Sequence, residues 1–363
     1  MAKIGDICEI LDSKRVPITA TERQPGPYPY YGANGIQDYV ADYIFDDELV
    51  LLAEDGGNFG SKDKPIAYRV SGKCWVNNHA HVLKPKEGLD VNYLCYSLMF
   101  YDVTGLVNGA TRQKLTQADM RKMEIPFPPL DEQRKIAAVL DKVSDLIVKR
   151  RQQLDKLDEL VKSRFIELFG DTPDNEKQTM ADICKIITDG THQPPKFTST
   201  GVPFLFVSNI VTNEIHYDAE KFISEETYAE LTKRTPIAIG DILLSTVGSY
   251  GHPAIVKSDK PFCFQRHIAY LKPNADMVNS EYLRSAILSA DVQRQIDERV
   301  KGIAQKTLNI SEIRKLRLPV PPVDQQEQFA VFVAQTDKSK LAIQKSLEKL
   351  EILKKALMQK YFG

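Results

Sequence analysis

Hydrophobic and polar positions follow two different patterns along this chain. Short apolar runs bounded by Gly, Pro and Asn, such as residues 49–53 and 241–244, predict β-strands, and brief helical patterns occur near residues 93–100 and 282–296. Each such region leads to a Pro-Pro dipeptide, after which no proline or glycine occurs for about 39 residues. The pattern predicts an α+β protein in which two sheet-containing modules alternate with two long helices.

The two long helices are predicted to begin at Asp131 and Asp324, which stand at the N-cap position after Pro-Pro. At 1.5 Å per residue, each helix spans about 58 Å. We expect the helices to pair antiparallel within the chain, with the modules at opposite ends; packing of each helix on its own module, or oligomerisation, are the alternatives. The 3-4 spacing typical of a coiled coil involves Leu140, Val143, Ile147, Leu154, Leu157, Val161, Ile343, Leu347, Leu350 and Leu357.

The second half of the chain repeats the first. Residues 109–170 align with residues 302–363 without a gap at a constant offset of 193, and Pro-Phe-Pro-Pro-Leu-Asp-Glu-Gln at 126–133 corresponds to Pro-Val-Pro-Pro-Val-Asp-Gln-Gln at 319–326. Upstream, residues 5–8 resemble 181–184, residues 57–60 resemble 248–251, and residues 79–85 resemble 267–273. We interpret the chain as a pseudo-twofold duplication with modules at 1–126 and 171–319 and helices at 127–170 and 320–363.

Composition limits the possible environments. The formal net charge is −1, from 48 basic and 49 acidic residues, so no global attraction to nucleic acid or membranes is expected. The five cysteines form no Cys-x-x-Cys pair, which favours free, mostly buried thiols. No apolar run approaches the roughly 20 residues of a membrane span, and no signal peptide is evident. We expect a soluble, cytoplasmic protein without membrane contact.

The usual signatures of enzymes are incomplete. Residues 56–62 resemble a phosphate-binding loop but lack its Gly-Lys-Ser/Thr ending, and residues 193–197 resemble a methyltransferase loop without its leading Asn or Asp. Residues 173–177 contain the letters of a nuclease motif, but too close together to surround a metal. His79 and His81 lack an evident third ligand, so hydrogen-bonding roles are favoured over a metal site. We predict no catalytic residue, metal or cofactor in this chain.

Polar clusters in both modules have the chemistry to contact DNA. Arginine bridges guanine N7 and O6, Asn and Gln bridge adenine N7 and N6, and Lys, Ser and Thr bind phosphates. Solvated loops are the alternative for each cluster. The candidates in the first module are Asn58, Ser61, Lys62, Asn77, Asn78, His79, Thr111, Arg112, Gln113 and Lys114. Those in the second module are Thr191, His192, Ser208, Asn209, Ser249, Tyr250, Gln265, Arg266, Gln305 and Lys306.

The duplicated motif Pro-x-Pro-Pro-[Leu/Val]-Asp-[Glu/Gln]-Gln, followed by a long helix ending in Phe-Gly, resembles the specificity subunit of type I restriction-modification systems over the whole chain. The resemblance implies two target recognition domains, each reading one half of a split, asymmetric sequence on double-stranded DNA, with a fixed spacer set by the helices. It also implies docking of two methyltransferase subunits, which methylate adenine N6, and of restriction subunits. S-adenosylmethionine, ATP and Mg²⁺ would then be bound by those partners in the prokaryotic cytoplasm.

Two other functions stay open from sequence. One is a standalone enzyme acting on nucleic acid, which methyl transfer by the purified chain would reveal. The other is a coiled-coil scaffold without DNA specificity, for which exchange of one module would leave the methylated sequence unchanged.

Overall fold

The computed structural model describes residues 1–109, 112–302 and 305–363, and the chain divides into two compact units. Unit 1 contains Met1–Arg151 and Lys345–Gly363, and unit 2 contains Gln152–Gln344. Each of the two long helices contributes residues to both units. The polypeptide of each unit therefore comes from one mixed module and from segments of both helices.

Unit 1 is built on a six-stranded sheet. Its strands are β1 (Ala2–Lys3), β2 (Cys8–Ile10), β3 (Pro25–Gly32), β4 (Gly35–Val40), β5 (Phe45–Ala53), β6 (Ala67–Val76), β7 (Ala80–Pro85), β8 (Val107–Asn108), β9 (Lys114–Leu115) and β10 (Glu124–Ile125). The sheet order is β2-β7-β5-β6-β3-β4, antiparallel except for the parallel pair β3 and β6; β1 pairs with β10, and β8 with β9. The helices are α1 (Ile4–Ile7), α2 (Val91–Met99), α3 (Gln117–Met120) and α4 (Leu130–Phe169).

Unit 2 repeats part of this arrangement. Its strands are β11 (Gln178–Thr179), β12 (Cys184–Asp189), β13 (Val202–Leu205), β14 (Phe222–Ile223), β15 (Ile242–Ser245), β16 (Pro253–Ile255), β17 (Cys263–Phe264), β18 (Ile268–Pro273) and β19 (Arg317–Leu318). The antiparallel order β12-β18-β15-β16 matches β2-β7-β5-β6, and β14-β13-β17 forms a second sheet. The helices are α5 (Met180–Ile183), α6 (Glu225–Leu231), α7 (Ser280–Ile287), α8 (Ala290–Arg299), α9 (Ile310–Ile313) and α10 (Val323–Phe362).

The registers of the two sheets confirm the duplication. Cys8 lies opposite Pro85 in unit 1, and Cys184 lies opposite Pro273 in unit 2, as the matched sequences require. One predicted correspondence is wrong by a residue. The counterpart of Gly248 is Gly56 rather than Gly57, because both have a positive φ (71° and 62°) and their N–H groups donate to the matched carbonyls of Lys306 and Gln113.

The long helices begin one residue earlier than predicted, at Leu130 and Val323. Pro129 and Pro322 precede them, and the carbonyl of each proline accepts the first helical hydrogen bonds, so the predicted N-caps Asp131 and Asp324 are wrong. Both aspartates lie in the first turn, where their charge complements the positive end of the helix. The predicted helical pattern at 282–296 is likewise two helices, α7 and α8.

The predicted apolar stripe faces protein in both units. Leu140, Val143 and Ile147 are buried, and the other seven stripe residues are half-buried. In unit 1, Arg151 of α4 pairs with Glu351 of α10 at 2.7 Å, while the end of α10 packs near the start of α4. The helix segments of unit 1 are therefore antiparallel.

Unit 2 shows the same relation between its own segments. Lys340 of α10 pairs with Asp158 of α4 at 2.5 Å. Earlier in α10, Phe329 packs against Phe165 and Phe169 near the end of α4, with ring centroids 5.6 and 5.7 Å apart. The predicted antiparallel pairing is confirmed within each unit.

A buried glutamine joins the start of each long helix to its module. The Gln133 side chain accepts from the Asp90 N–H at 3.0 Å and donates to the carbonyls of Gly88 and Pro128. Gln326 makes the same three bonds to the Asn279 N–H and the carbonyls of Met277 and Pro321. This repeated amide explains why the motif carries Gln at its last position in both copies.

The remaining expectations about environment concern cysteines and membranes. All five cysteines are free and four are buried, which confirms the prediction of unpaired, mostly buried thiols. Burial raises the pKa of the Cys8 thiol to about 12. Over the residues that the structure describes, no helix is both long enough and apolar enough to cross a bilayer.

Candidate nucleic-acid interface

Three separate segments of unit 1 meet where β5 ends and β7 begins. The Glu54 N–H donates to the His79 carbonyl at 2.9 Å, and the Leu115 N–H donates to the Glu54 carbonyl at 2.7 Å. The Gly56 N–H donates to the Gln113 carbonyl at 3.4 Å. These bonds bring the candidate residues of all three segments together at the end of the sheet where β5 stops and β7 starts. We call this surface the module 1 edge (residues 54–62, 77–79 and 112–115).

An exposed arginine is held by a half-buried aspartate at the module 1 edge. Arg112 Nη2 lies 2.9 Å from Asp55 Oδ1, and His79 Nδ1 lies 2.5 Å from the same oxygen. The Arg112 side chain is 60% exposed, whereas that of Asp55 is 19% exposed. The carboxylate therefore fixes one end of the guanidinium and leaves the rest of it facing solvent.

A buried charge network lies beneath this edge. His81 is fully buried, with Nδ1 2.7 Å from Asp12 Oδ2 and Nε2 2.9 Å from the Leu115 carbonyl. Arg15 bonds Glu54 at 2.6 Å and lies 3.6 Å from Asp12. His81 therefore joins the Leu115 backbone to Asp12, and the network continues through Arg15 to Glu54.

The carboxylates of this network are held in their charged form. Burial alone would raise the pKa of Asp12, but hydrogen bonds from His81, Val82 and Gln117, with the charge of His81, lower it below its usual value. Burial alone would also raise the pKa of Glu54. Hydrogen bonds from Arg15 and Lys114 lower that pKa below its usual value. Asp12, Glu54 and His81 each place one oxygen or nitrogen within 4.8 Å of the corresponding atoms of the other two, a spacing that would also suit a metal site. Arg15 contacts both carboxylates and Lys114 pairs with Glu54, so the donor set fits an ion-pair network better than a cation site.

The other candidates of the module 1 edge differ in exposure. Lys62, Asn78, Gln113 and Lys114 are exposed, and Lys114 pairs with Glu54 at 3.0 Å. Ser61 accepts from the backbone of its own turn, and Asn58 donates to Pro65 at 3.4 Å. Asn77 is only 3% exposed and bonds Gln37 and the His79 N–H, so its burial argues against the predicted base contact. Thr111 lies outside the described residues.

Unit 2 forms the equivalent edge with the same backbone connections. The Thr246 N–H donates to the His267 carbonyl at 3.0 Å, the Leu308 N–H to the Thr246 carbonyl at 2.8 Å, and the Gly248 N–H to the Lys306 carbonyl at 3.2 Å. By this register Gln305 replaces Arg112 and Lys306 replaces Gln113. We call this surface, together with Arg234 beside Asp189, the module 2 edge (residues 189–193, 234, 246–250, 265–267 and 305–308).

The module 2 edge also carries an exposed arginine on a half-buried aspartate, but from other positions. Arg234 Nη2 lies 2.8 Å from Asp189 Oδ1, and His192 Nε2 lies 2.8 Å from Asp189 Oδ2. The Arg234 side chain is 59% exposed and that of Asp189 is 17% exposed. Asp189 pairs with Ala269 in the register, which makes it the counterpart of Asp12 beside His81. A cleft of about 330 Å³ is lined by Asp189, His192 and Arg234, together with Thr191 and Phe264.

The structure also places the remaining candidates of unit 2. Thr191 bridges to Gln265, and the Arg266 N–H donates to the Thr191 carbonyl at 3.0 Å, so these three residues lie together. The candidates of this edge that are exposed are His192, Ser249, Arg266, Gln305 and Lys306. Tyr250 donates to Asp297 and packs on the core, and Asn209 bonds its own turn beside the exposed Ser208, so these side chains also have local structural partners.

The sequence interpretation missed Asp55, Asp189 and Arg234. Their importance comes from partners distant in sequence: Asp55 meets Arg112 across 57 positions and Asp189 meets Arg234 across 45. One local signal existed. Asp12 and Arg15, like Asp189 and His192, are three residues apart at the end of the first strand of the matched sheet, a spacing that favours contact in a tight turn.

The fold and these edges define a class of protein: a duplicated chain whose two modules each present polar loops at one sheet edge and share long antiparallel helices. The family model described as the type I restriction modification DNA specificity domain matches residues 1–158 and 173–354. The chain belongs to this family. Membership confirms the predictions of a specificity subunit, of DNA recognition and of a non-catalytic role.

Individual relatives agree with this assignment. A protein of Haemophilus influenzae described as a type I restriction enzyme specificity subunit is 27% identical, over 98% of this chain and 94% of its own. The crystal structure of the S subunit from M. genitalium has a TM-score of 0.58 at 16% identity and covers 99% of this chain and 95% of its own. A structure from a study of type I R-M complex assembly has a TM-score of 0.56 at 16% identity, over 99% and 96%. The two structures show a shared fold.

Proposed function

We propose that this chain reads an asymmetric, bipartite target on double-stranded DNA, with one half-site per recognition module. The observation that carries the proposal is the pair of equivalent edges, which have the same backbone connections but different side chains. Arg112, Gln113 and Lys114 in module 1 correspond to Gln305, Lys306 and Thr307 in module 2. Because these side chains differ in their hydrogen-bonding patterns, the two half-sites would differ in sequence.

The spacing between the half-sites would be fixed by the paired helices. A helix resists bending far more than a loop, so modules carried on antiparallel helices would tolerate no change in the unread gap. By analogy with paired recognition units on one face of the duplex, the two half-sites would be separated by roughly one helical turn, about 10 bp or somewhat more.

The long helices would also dock the partner subunits. Large apolar side chains lie exposed on α4 and α10, including Val148, Leu160, Val331 and Ile352. Exposed apolar surface on a helix is typical of interaction sites. We propose two methyltransferase subunits and further restriction subunits as the partners, acting in the prokaryotic cytoplasm. S-adenosylmethionine, ATP and Mg²⁺ would be bound by those partners, which would also supply much of the phosphate contact that this nearly neutral chain lacks.

The test is to co-express this chain with the methyltransferase subunit of its system and to map N6-methyladenine across the host genome by long-read sequencing. The proposal predicts a bipartite motif with a constant gap that disappears when this chain is omitted. A stable complex that methylates no defined motif would contradict the reader function and favour a scaffold.

A further inference from the structure

The two edges share one feature, although the residues that form it do not occupy aligned positions in the two modules. Arg112 belongs to the segment after β8, and Arg234 follows α6, yet each is an exposed arginine fixed by a half-buried aspartate that also bonds a histidine. The exposures nearly coincide, at 60% and 59% for the arginines and 19% and 17% for the aspartates. The same constellation thus arises twice, from positions that the duplication does not relate.

The contacts leave the same part of each guanidinium available. Arg112 donates from Nη2 to Asp55, with His79 Nδ1 3.4 Å from the same nitrogen, and Arg234 donates from Nη2 to Asp189 and Thr188. Arginine has five N–H donors in a planar fork. With Nη2 anchored, the plane of the guanidinium is oriented, and the N–H groups of Nη1 and Nε stay available to further acceptors.

The adjacent carboxylate favours a neutral acceptor over a phosphate. A phosphate approaching Arg112 or Arg234 would also approach the negative charge of the aspartate, which offsets much of the attraction. Guanine N7 and O6 are uncharged acceptors in the major groove, and arginine is their commonest side-chain partner. Asp55 and Asp189 therefore weaken the attraction of the arginines for a neutral acceptor less than their attraction for a phosphate.

We propose that Arg112 and Arg234 each read one guanine, one in each half-site, and that Asp55 and Asp189 are the positioning residues. This inference rests on the proposed function of the chain as a DNA reader. It assigns a base identity to each module and explains why the aspartates occur within a DNA-facing edge. Gln305, the counterpart of Arg112, leaves module 2 without an arginine at that position, and Arg234 supplies it from another segment.

The experiment maps N6-methyladenine in cells that carry the methyltransferase subunit with Arg112→Ala, Arg234→Ala, Asp55→Asn or Asp189→Asn. Each arginine variant should lose the preference for guanine at one position of one half-site by roughly ten- to a hundredfold, with the other half-site unchanged. Each Asn variant should relax the same position as its arginine variant. Arg69→Ala, which breaks an exposed pair with Glu48 on the strands of module 1, and Arg294→Ala on α8 are the matched controls.

The outcomes separate the two proposals. A wild-type complex without any motif contradicts the reader function itself. A wild-type motif that Arg112→Ala leaves unchanged in sequence, while methylation falls equally at all sites, overturns the guanine assignment and indicates a phosphate contact. Thermal melting of each variant beside wild type shows that a lost preference does not come from unfolding; both arginines are exposed, so the melting temperature should stay unchanged.

Discussion

The ring of Phe362, in the last turn of α10, lies 5.2 Å from the ring of Tyr93 in the first turn of α2. Tyr93 in turn donates to the carbonyl of Pro126, just before α4 begins. In unit 2, Phe169 at the end of α4 lies 5.0 Å from Tyr282, which donates to the Pro319 carbonyl. Within each unit, one long helix therefore ends on the tyrosine that holds the segment leading into the other.

This packing makes the Phe-Gly ending a stability element. Phe169 is 5% exposed and lies among Phe165, Tyr282 and Phe329. We expect Phe169→Ala to lower the free energy of unfolding by about 3–5 kcal/mol, because the ring would leave a cavity. Denaturant titration measures this, with the exposed neighbour Leu168→Ala as the control. Equal effects of the two substitutions would contradict the packing role.

The buried glutamines predict a second effect on stability. Gln133→Glu and Gln326→Glu keep the side-chain shape but replace the donating amide by a carboxylate, which would face two backbone carbonyls. We expect a loss of about 2–4 kcal/mol in the free energy of unfolding for each. Gln325→Glu, at an exposed position beside Gln326, should cost less than about 0.5 kcal/mol. A silent Gln133→Glu would show that the amide does not join helix and module.

The lowered pKa of Asp12 predicts acid sensitivity in unit 1. A carboxylate whose folded pKa is depressed contributes stability that is complete above its unfolded pKa of about 3.9 and is lost as the pH falls toward the folded pKa. Asp12→Asn lacks this contribution. The difference in unfolding free energy between wild type and Asp12→Asn should therefore shrink as the pH falls below about pH 4. The surface variant Asp63→Asn controls for general charge effects, and a constant difference down to pH 3 would contradict the network.

Lys306 is predicted to contact phosphate rather than a base. It is exposed at the module 2 edge, next to Gln305, and lysine is a flexible point charge. Lys306→Ala should weaken binding of the assembled complex to cognate and non-cognate duplexes by the same factor and reduce the slope of log K against log salt by about 1. Lys315→Ala, whose lysine pairs with Glu312, should leave the slope unchanged. Binding loss confined to cognate DNA would assign Lys306 to base contact instead.

The elements that were predictable from the sequence depend on local patterns or on repetition. The long helices follow from the absence of proline and glycine between Asp131 and Phe169, and the duplication follows from the offset of 193. The start of each helix was missed by one residue, because the carbonyls of Pro129 and Pro322 replace a side-chain cap. Such boundaries depend on hydrogen bonds that residue types do not specify.

The candidate site was only partly predictable, because its geometry depends on contacts distant in sequence. The polar residues near Gly56, His79 and Arg112 were found, and the fold brings them to one edge. Their carboxylate partner Asp55, and the pair of Asp189 and Arg234, were not found, because an aspartate beside a glycine reads as an ordinary turn. Asn77 was selected for its chemistry, but its burial is a property of the folded sheet.

The measurement that tests the central claim most directly is the exchange of residues 1–126 for the first module of a relative with a different target, followed by genome-wide mapping of N6-methyladenine with the same methyltransferase subunit. If the two modules recognise DNA independently and are carried on paired helices, one half-site should change while the other half-site and the gap stay constant. An unchanged motif, or a simultaneous change in both half-sites, would contradict the assignment of one half-site to each module.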